Sequence, residues 1–407
     1  MPFLNASSES PYVSAPRREG NSDQVFFTRH IDGPFYFMPW ASVYRCIVGM
    51  DKNEMITTRF PLADVNCNAC EGDVLAFDFN REVHFITRDD DKAAISDDFR
   101  VVLKLHYSCL NYKDALALTH TAPIARKYPM VHGIDAVGEV IESNSDQWPV
   151  GAVCQVNDWG LGETHWGGLA ERASVPAQWI SPIPEGRSAR WAAALGTAGY
   201  TAALCVMALQ DHPVKPEDGP VLVTGVSGGV GTVACLLLQH LGYEVVGLTG
   251  SIDAMGEPVS ESAAKHFERL QLGSTHLIHR ESMSRPGKPL QKEQFAAVVD
   301  SVGSHTLVNA CAQTKYGGVV AACGLAQGMD FQGSVAPFIL RGITLRGINC
   351  VYRTHAERDR AWGMLAQALN EYDLDFMIKE VRLAQALESA RLVLANQLQG
   401  RVVVNCA

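Results

Sequence analysis

A glycine-rich segment in the second half of the chain has the spacing of a phosphate-binding turn. The apolar run 220–225 leads into it, and the amphipathic segment 229–242 follows it. In such a turn the first glycine permits a sharp bend, the middle pair lets backbone N–H groups approach a pyrophosphate, and the last lets the next helix pack closely on the sheet. The helix start adds partial positive charge. This pattern predicts a dinucleotide site, the alternative being a structural turn. The predicted cofactor contacts are Gly225, Ser227, Gly228, Gly229, Val230 and Gly231.

The choice of cofactor depends on the end of the next apolar run, about twenty residues further along the chain. That run ends at residues 248–251, and no acidic residue stands at its tip, since Asp253 comes later in a loop. An acid at the tip would bond the ribose 2′-hydroxyl of NAD. Thr249 and Ser251 can instead hydrogen-bond a 2′-phosphate without repelling it. The sequence therefore predicts NADPH rather than NADH.

A second candidate site lies near the N-terminus. His30 and Asp32, together with His84, fit the two-histidine, one-carboxylate pattern of non-haem iron sites. The surrounding region 24–95 has aromatic and β-branched runs that predict short strands, like a fragment of a double-stranded β-helix. A complete fold of that kind needs about eight strands of roughly 5–6 residues, which is more than this region provides. The alternative is a β-rich element that packs on a neighbouring domain.

The cysteine pattern favours reduced thiols. There are 11 cysteines, an odd number, and many lie in apolar runs. Cys67 and Cys70 form a single CxxC pair, whereas a structural zinc site needs four ligands, so we interpret them as ordinary thiols and expect no metal. The serine-rich start lacks the pattern of a secretory signal. We expect a cytoplasmic protein, with organellar targeting left open by Arg17 and Arg18.

Alternating strand and helix patterns follow from about residue 190. Amphipathic segments at 229–242, 261–272 and 304–315 separate several apolar runs, and a helical pattern covers 356–371. This alternation predicts an α/β fold with a doubly wound parallel sheet that would present the glycine-rich turn. The apolar runs are 220–225, 244–249, 275–279, 296–300, 317–324 and 343–349.

Length and charge narrow the classes of protein further. The 407 residues include 34 Lys and Arg against 44 Asp and Glu, a net charge of −10, and 47% are hydrophobic. At roughly 150 residues per domain this predicts about two to three domains. The acidic balance disfavours general nucleic-acid binding, which needs clustered basic residues. No apolar run approaches the ~20 residues that span a bilayer, so we expect no membrane partner.

Eight stretches resemble the zinc-free medium-chain dehydrogenase/reductase superfamily, and more narrowly the acrylyl-CoA reductase subfamily of quinone-oxidoreductase-like proteins. Together they cover most of the chain from about residue 100 to the C-terminus. The stretches are SCLNYKDALALT (108–119), YPMVHGIDAVGEV (128–140), DWGLGETHWGGLAE (158–171), GTAGYTAALCVMAL (196–209), VTGVSGGVG (223–231), YGGVVAACGLA (316–326), APFILRGITLRGI (336–348) and NQLQGR (396–401).

The resemblance implies a GroES-like β-rich catalytic domain and a Rossmann domain, with the active site between them. We expect a disordered tail at 1–23, a β-rich extension at 24–95, the catalytic domain at 96–189 and 350–407, and the NADPH-binding Rossmann domain at 190–349. The first two strands of the subfamily are absent, and the runs VLAFDFN and EVHFIT within 72–100 are candidate substitutes. His132 stands where the subfamily usually has proline.

The resemblance also implies catalytic residues. Zinc-dependent relatives carry a cysteine ligand where this chain has Asn111, so hydride transfer to an activated double bond is the expected chemistry rather than alcohol oxidation. Asn111 and Tyr112 are the neutral donors of the matched loop, and Tyr112 could deliver a proton or orient a water. Asp114 is expected to hold the loop by hydrogen bonds. The alternative is that Asn111 and Asp114 only form a turn and Tyr112 belongs to the core.

Other matched residues are expected to bind ligands. Thr197 and Gly324 are predicted cofactor contacts, and Arg401 and Arg341 are candidates for cofactor and substrate phosphates, respectively. The alternative for both arginines is a surface ion pair. Trp166, next to His165 in a glycine-rich loop, is a predicted substrate contact. His165 could act as an acid, although packing or hydrogen bonding is the expected role.

The expected activity is NADPH-dependent reduction of the C=C bond of an α,β-unsaturated acyl thioester, acrylyl-CoA to propanoyl-CoA. Three alternatives remain: a quinone or enone reductase, a non-catalytic NADPH-binding protein, and a fusion with an N-terminal oxygenase-like module. An Arg that often binds the 2′-phosphate in the subfamily is replaced here by the residues after Gly250.

We expect a homodimer, formed by pairing Rossmann sheets at the edge strand 343–349.

Overall fold

In the computed structural model the chain forms two units, Met1–Asp97 and Asp98–Ala407. The structure describes residues 100–407 except residue 127, together with the backbone of five short strands between residues 44 and 88. The predicted tail 1–23, His30, Asp32, His84 and Cys70 lie outside the described residues.

The five N-terminal strands pair among themselves. They are β1 (Tyr44–Val48), β2 (Ile56–Phe60), β3 (Val65–Cys67), β4 (Val74–Asp78) and β5 (Phe85–Arg88). β1 pairs with β4, and β2 pairs with β3 and β5, all antiparallel. The β-rich character predicted for this region is therefore present. The described pairings of β4 and β5 are with β1 and β2, and their role as substitutes for missing strands of the catalytic sheet stays a prediction.

The second unit begins with a seven-stranded sheet. Along β6, residues 101, 103 and 105 are buried and residues 100 and 104 are exposed, the alternation of a strand with one face on a core. The sheet order is β10-β8-β7-β6-β18-β17, with β9 also paired to β6, and only β17 and β18 run parallel. Its strands are β6 (Arg100–Leu110), β7 (Asp135–Ser143), β8 (Val153–Asn157), β9 (Arg172–Pro176), β10 (Ile180–Pro182), β17 (Ile378–Arg382) and β18 (Arg401–Asn405).

A six-stranded parallel sheet carries the glycine-rich turn. Its strands are β11 (Val221–Thr224), β12 (Val245–Thr249), β13 (Leu277–His279), β14 (Phe295–Asp300), β15 (Thr314–Ala322) and β16 (Thr344–Gly347). Every residue of β11 and β14 is buried, as expected for strands covered on both faces. The order β13-β12-β11-β14-β15-β16 reverses direction between β11 and β14. All six predicted strands are present, and β16 is an edge strand, as predicted.

Nine α-helices lie in the described part of the second unit. They are α1 (Tyr112–Leu118), α2 (Ala189–Gln210), α3 (Gly229–His240), α4 (Glu261–Arg269), α5 (Ser304–Gln313), α6 (Ala336–Arg341), α7 (His355–Ala368), α8 (Glu371–Leu374) and α9 (Ala386–Leu394). The predicted helices at 229–242, 261–272, 304–315 and 356–371 correspond to α3, α4, α5 and α7.

Helix α2 is the central element of the core. The expectation that no apolar run approaches membrane-spanning length was wrong, because α2 has 22 residues and a mean hydropathy of 1.6 over its most apolar window. That window is entirely buried in the protein, which is typical of a core helix. One hydrophobic cluster runs from Val137 of β7 through α2 to Val223 of β11, so α2 joins the two sheets.

Candidate functional site

The glycine-rich turn connects β11 to α3 by a close backbone approach. Gly225 has φ +64°, in the left-handed region, and a Cβ atom added there would lie 2.9 Å from Ser301 Oγ. A Cβ added to Gly231 would overlap the backbone of Gly225 and Val226. A Cβ on Gly324, just after β15, would overlap the carbonyl of Ser301. The loops after β11, β14 and β15 thus meet at the carboxyl edge of the sheet, where α/β proteins bind nucleotides.

A buried arginine lies beside the start of α3. Arg401, in β18, is 3% exposed, and a Cβ added to Gly229 would lie 2.7 Å from its Cδ. Its Nε donates to Ala194 O (3.1 Å), while Nη2 has no hydrogen-bond partner among the described residues. Its Cδ and Nη1 are the atoms nearest Gly229, whereas Nη2 lies 3.8 Å from Asp135 Oδ2, so the guanidinium adds positive charge beside the helix N-terminus, which suits an anionic phosphate. The residues present therefore fit the pyrophosphate of a dinucleotide.

Three predicted cofactor residues meet at the end of β12. Ser227 Oγ lies 3.0 Å from Thr249 Oγ1 and 3.3 Å from Ser251 Oγ. The nearby Asp253 is exposed and closes its own loop, because its Oδ1 accepts from the backbone N–H of Met255. The tip of β12 therefore presents hydroxyl groups and no carboxylate.

Arg280, which the sequence reasoning did not consider, lies at the same place. Arg280 follows β13 and is exposed. Its side chain packs on Gly250, since a Cβ atom added to that glycine would lie 2.8 Å from Arg280 Cδ and Nε. The sequence analysis considered only residues after β12 for the 2′-phosphate. A basic residue at the carboxyl end of the neighbouring strand could have been predicted as well, since parallel strands end at one edge.

A fully buried carboxylate connects the two halves of the site. Asp135 opens β7 and is 0% exposed. Its Oδ1 accepts from Asn157 Nδ2 (2.8 Å), Thr197 N (2.8 Å) and Thr197 Oγ1 (2.6 Å), and its Oδ2 accepts from Asn111 Nδ2 (2.8 Å). Arg401 Nη2 is 3.8 Å away. The sequence analysis did not single out Asp135, because its partners are distant in sequence.

A kink in α2 provides part of this network. Gly196 has φ +48° inside the helix, so the N–H of Thr197 leaves the helical pattern and donates to Asp135. A Cβ added to Gly196 would lie 2.8 Å from both Asp135 Oδ2 and Cys109 Sγ. The structure thus places Thr197, a predicted cofactor contact, with its hydroxyl donating to the carboxylate.

The predicted catalytic loop is held by the same network. Asn111 Nδ2 donates to Asp114 Oδ2 (3.0 Å) as well as to Asp135, and its Oδ1 accepts from Arg401 Nη1 (2.9 Å). Both amide hydrogens of Asn111 are therefore engaged within the protein. Asp114 also accepts from the backbone N–H of Ile134 (2.9 Å), and burial raises the pKa of its carboxyl to about 7.

Tyr112 is available to a ligand. It is the first residue of α1 and is 40% exposed, so it is not a core residue. Its hydroxyl makes no hydrogen bond to any residue that the structure describes. Trp166 is half-buried in the loop that follows β8, and the neighbouring His165 ring packs edge-on against Trp179 with centroids 4.5 Å apart.

Arg341 does not reach this site. Its Nη1 donates to Ala312 O (2.7 Å) and Thr314 O (3.3 Å), and its Nε pairs with Glu293 Oε1 (3.3 Å). Those groups lie at the end of α5 and the start of β15, which is the amino edge of the parallel sheet. The guanidinium of Arg341 is thus engaged at the edge opposite the glycine-rich turn, and its role as a substrate contact stays a prediction.

Comparison with known protein families gives the class of the protein. Residues 97–185 match the family described as alcohol dehydrogenase GroES-like domain, and residues 229–367 match the family described as zinc-binding dehydrogenase. These are the two halves of a medium-chain dehydrogenase/reductase. Residues 97–185 contain β6 to β10 of the seven-stranded sheet, and residues 229–367 contain β12 to β16 of the parallel sheet. The predicted fold class is thereby confirmed.

Individual relatives narrow the class. The chain is 42% identical over 304 residues to the probable acrylyl-CoA reductase AcuI of Escherichia coli, spanning 75% of this chain and 90% of that protein. It is 42% identical over 306 residues to the acrylyl-CoA reductase AcuI of Ruegeria pomeroyi, spanning 75% and 89%. The crystal structure of E. coli YhdH with bound NADPH superposes with a TM-score of 0.70 at 42% identity, covering 75% and 91%. The chain belongs to the acrylyl-CoA reductase family of quinone-oxidoreductase-like enzymes.

A zinc ion does not fit the described site. The side chains grouped around Asn111 are an amide, hydroxyls and carboxylates that already accept hydrogen bonds. Within residues 100–407, leaving out residue 127, no three His, Cys, Asp or Glu side chains are placed to hold a metal ion.

Proposed function

We propose that this protein uses NADPH to reduce the C=C bond of an α,β-unsaturated acyl thioester, acrylyl-CoA to propanoyl-CoA. The 42% identity to two acrylyl-CoA reductases, spanning about nine tenths of each, carries the proposal. The cofactor is NADPH, which is bound in the YhdH structure at the same level of identity. The hydroxyl-lined end of β12 agrees with this cofactor.

Residues of both halves would hold the cofactor. The first-turn N–H groups of α3 bind the pyrophosphate, and the Arg401 guanidinium provides positive charge beside them. Thr249 and Ser251 hydrogen-bond the 2′-phosphate, and Arg280 provides the positive charge there. Gly324 keeps the loop after β15 close to the cofactor path, since any side chain would strike Ser301.

Residues of the catalytic half would polarise the substrate. When bound, NADPH supplies a hydride to the β-carbon of the enoyl group. Negative charge then develops on the thioester oxygen, and a positioned donor lowers its energy. Tyr112 provides that donor, because its hydroxyl is exposed and unpaired. Asn111 and Asp114 position the loop, and Trp166 contacts the acyl group.

The substrate class is tested by following NADPH oxidation with acryloyl-CoA, crotonyl-CoA and a simple quinone. We expect turnover of the acyl-CoA esters with kcat/KM at least about tenfold above that for the quinone, because the Tyr112 hydroxyl is proposed to stabilise the charge on the thioester oxygen. Turnover of the quinone alone would remove the CoA assignment. Tight NADPH binding without any turnover would identify a binding protein.

Quinone reduction is the second candidate. The chain is 39% identical over 306 residues to the putative quinone oxidoreductase YhfP of Bacillus subtilis, spanning 75% of this chain and 89% of that protein. The YhfP structure, with NAD bound, superposes with a TM-score of 0.68 at 35% identity. The same assay separates the two candidates.

A homodimer through the Rossmann sheet is also proposed. β16 is the edge strand, and beside it α6 exposes Ile339 (73%) and Leu340 (63%). Exposed apolar side chains next to an open strand edge suit a two-fold, self-complementary contact. We further propose that the enzyme acts in the cytoplasm.

A further inference from the structure

Asp158 is a buried carboxyl group that the proposed mechanism leaves unused. It directly follows β8, its side chain is 0% exposed, and neither carboxylate oxygen has a nitrogen or oxygen donor within hydrogen-bonding distance among the described residues. The one side chain that hydrogen-bonds it there is the Cys350 thiol, a weak donor. Nearly all buried polar groups are hydrogen-bonded, because an unpaired one costs free energy. The retention of a carboxylate here therefore needs an explanation.

The backbone holds Asp158 in an uncommon conformation. Asp158 has φ +62° and Trp159 has φ +58°, so two successive non-glycine residues are left-handed. The N–H of Asp158 donates to Ile134 O (2.8 Å), and the N–H of Leu161 donates to Asp158 O (3.0 Å). Conformations of this kind persist only where the surroundings enforce them, and they cluster at functional sites.

Two cations face this carboxylate, Lys113 and Arg358, and Lys113 exerts the larger effect on its pKa. The Nζ of Lys113 lies 3.8 Å from Asp158 Oδ1 and 2.8 Å from Glu163 Oε1, and its side chain is 33% exposed. Burial lowers the pKa of Lys113, but the Asp158 and Glu163 carboxylates raise that pKa by more, so the ammonium form is favoured. Lys113 follows Tyr112 in the first turn of α1, next to the donor proposed for the thioester oxygen.

The pair also faces the cofactor half. Cys350 comes shortly after β16, and burial together with the Asp158 charge raises the pKa of its thiol to about 12. The end of β16 and the glycine-rich turn lie at the same edge of the parallel sheet. Lys113 and Asp158 therefore stand at the edge where the reacting end of a dinucleotide meets its substrate.

We propose that Lys113 is a catalytic residue that protonates the α-carbon of the reduced thioester, and that Asp158 positions its ammonium group. This inference rests on the proposed function. Hydride addition to the β-carbon pushes the C=C electron pair onto the thioester oxygen as an enolate, and NADPH becomes NADP⁺. The C=O bond re-forms, the α-carbon takes a proton from Lys113 Nζ, and the resulting amine regains a proton from water at its exposed side.

The pair gives turnover a defined pH dependence. Burial raises the pKa of the Asp158 carboxyl to about 6, with the Lys113 ammonium acting in the opposite direction. As pH falls through that value the carboxyl becomes neutral and the ammonium loses its anionic partner, so kcat decreases on the acid side. The charged and titratable groups that face Asp158 are Lys113 on α1, Asp135 on β7, Tyr200 on α2, Cys350 after β16 and Arg358 on α7.

The experiment compares Lys113→Met with the wild type in the full-length protein. In D2O the wild type should form 2-deuterated propanoyl-CoA in one configuration. Lys113→Met should lose about 10²-fold or more in kcat with acryloyl-CoA, the usual size of a general-acid effect. Its residual product should be racemic at the α-carbon, because water then delivers the proton. NADPH binding, followed by fluorescence titration, should stay within about twofold, since no phosphate contact is changed.

Two further variants complete the design. Asp158→Asn should lower kcat and remove the inflection near pH 6, which loss of packing alone would not do. Lys265→Met removes an exposed lysine on α4 and should behave as wild type. If the Lys113→Met variant forms product of a single configuration at a near wild-type rate, the inference is overturned and the proposed function is left intact. A wild type inactive on both acyl-CoA esters would overturn the proposed function and the inference with it.

Discussion

At the scale of single residues, Asp135 organises the site without facing solvent. Its two oxygens accept hydrogen bonds from Asn111, Asn157 and Thr197, which come from three different elements. Hydrogen bonds to a charged acceptor are stronger than neutral ones, and several on one carboxylate hold each donor in a single geometry. The loop before α1 and the kink in α2 therefore keep fixed positions relative to one another.

Arg280 is predicted to set the preference for NADPH over NADH. Arg280→Gln should raise the Kd for NADPH about tenfold or more, because a charged hydrogen bond contributes roughly 1.5–3 kcal/mol. The Kd for NADH should change little, since NADH lacks the 2′-phosphate. Isothermal titration of both cofactors measures this directly.

The control for this prediction is Arg285→Gln, which removes an exposed arginine from the same loop. That variant should keep the wild-type ratio of the two Kd values. An equal loss of affinity for both cofactors in Arg280→Gln would show that Arg280 contributes only general charge or structure, and no selectivity.

At the scale of elements, the contact between α3 and the turn before it decides whether phosphate can bind. The N–H groups at the start of α3 must face the ligand, so the helix has to approach the strand end closely. Gly231 permits that approach, since a Cβ there would overlap the backbone of Gly225 and Val226.

Gly231→Ala should therefore weaken NADPH binding by about tenfold or more and lower the melting temperature, because overpacking against backbone forces a shift that costs about 1–3 kcal/mol. The matched control is Gly363→Ala in α7, where an added Cβ meets nothing within 4 Å. That control should bind NADPH normally and gain up to about 1 kcal/mol from helix propensity. Unchanged binding in Gly231→Ala would contradict the close-approach argument.

At the scale of the whole molecule, a single core supports both sheets of the second unit, and the parallel sheet has an open edge at β16. α2 runs between the two sheets and belongs to one continuous core with both, so the catalytic loop and the glycine-rich turn share a rigid support. At one end of the parallel sheet, β16 pairs only with β15 among the described strands, and the neighbouring α6 exposes apolar side chains.

Light scattering after size-exclusion chromatography should give the mass of a dimer. The double variant Ile339→Glu with Leu340→Glu should shift the protein to a monomer. Each of the two copies would bring two added carboxylates to the two-fold contact, so four negative charges would be buried there. Val150→Glu, at another exposed valine, should remain dimeric. A monomeric wild type would refute the proposed dimer.

The sequence alone determined the features that depend on local pattern. Apolar runs, the interposed amphipathic segments and the glycine spacing predicted all six strands of the parallel sheet and the turn between β11 and α3. These features depend on backbone conformation and periodicity over a few residues, which neighbouring residues largely control. The absence of an acid after β12 likewise indicated the cofactor.

Only the tertiary structure decided which side chains meet. Arg401 reaches Asn111 across 290 positions of sequence, and Asp135 reaches Thr197 across 62. Arg341 has the right chemistry for a phosphate but lies at the edge opposite the glycine-rich turn, and α2 has the composition of a membrane span but lies in a core. Lys113 and Asp158 carry no local signal, because their pairing depends on how α1 and the loop after β8 pack together. Contacts of this kind arise from the packing of distant elements, which no local pattern encodes.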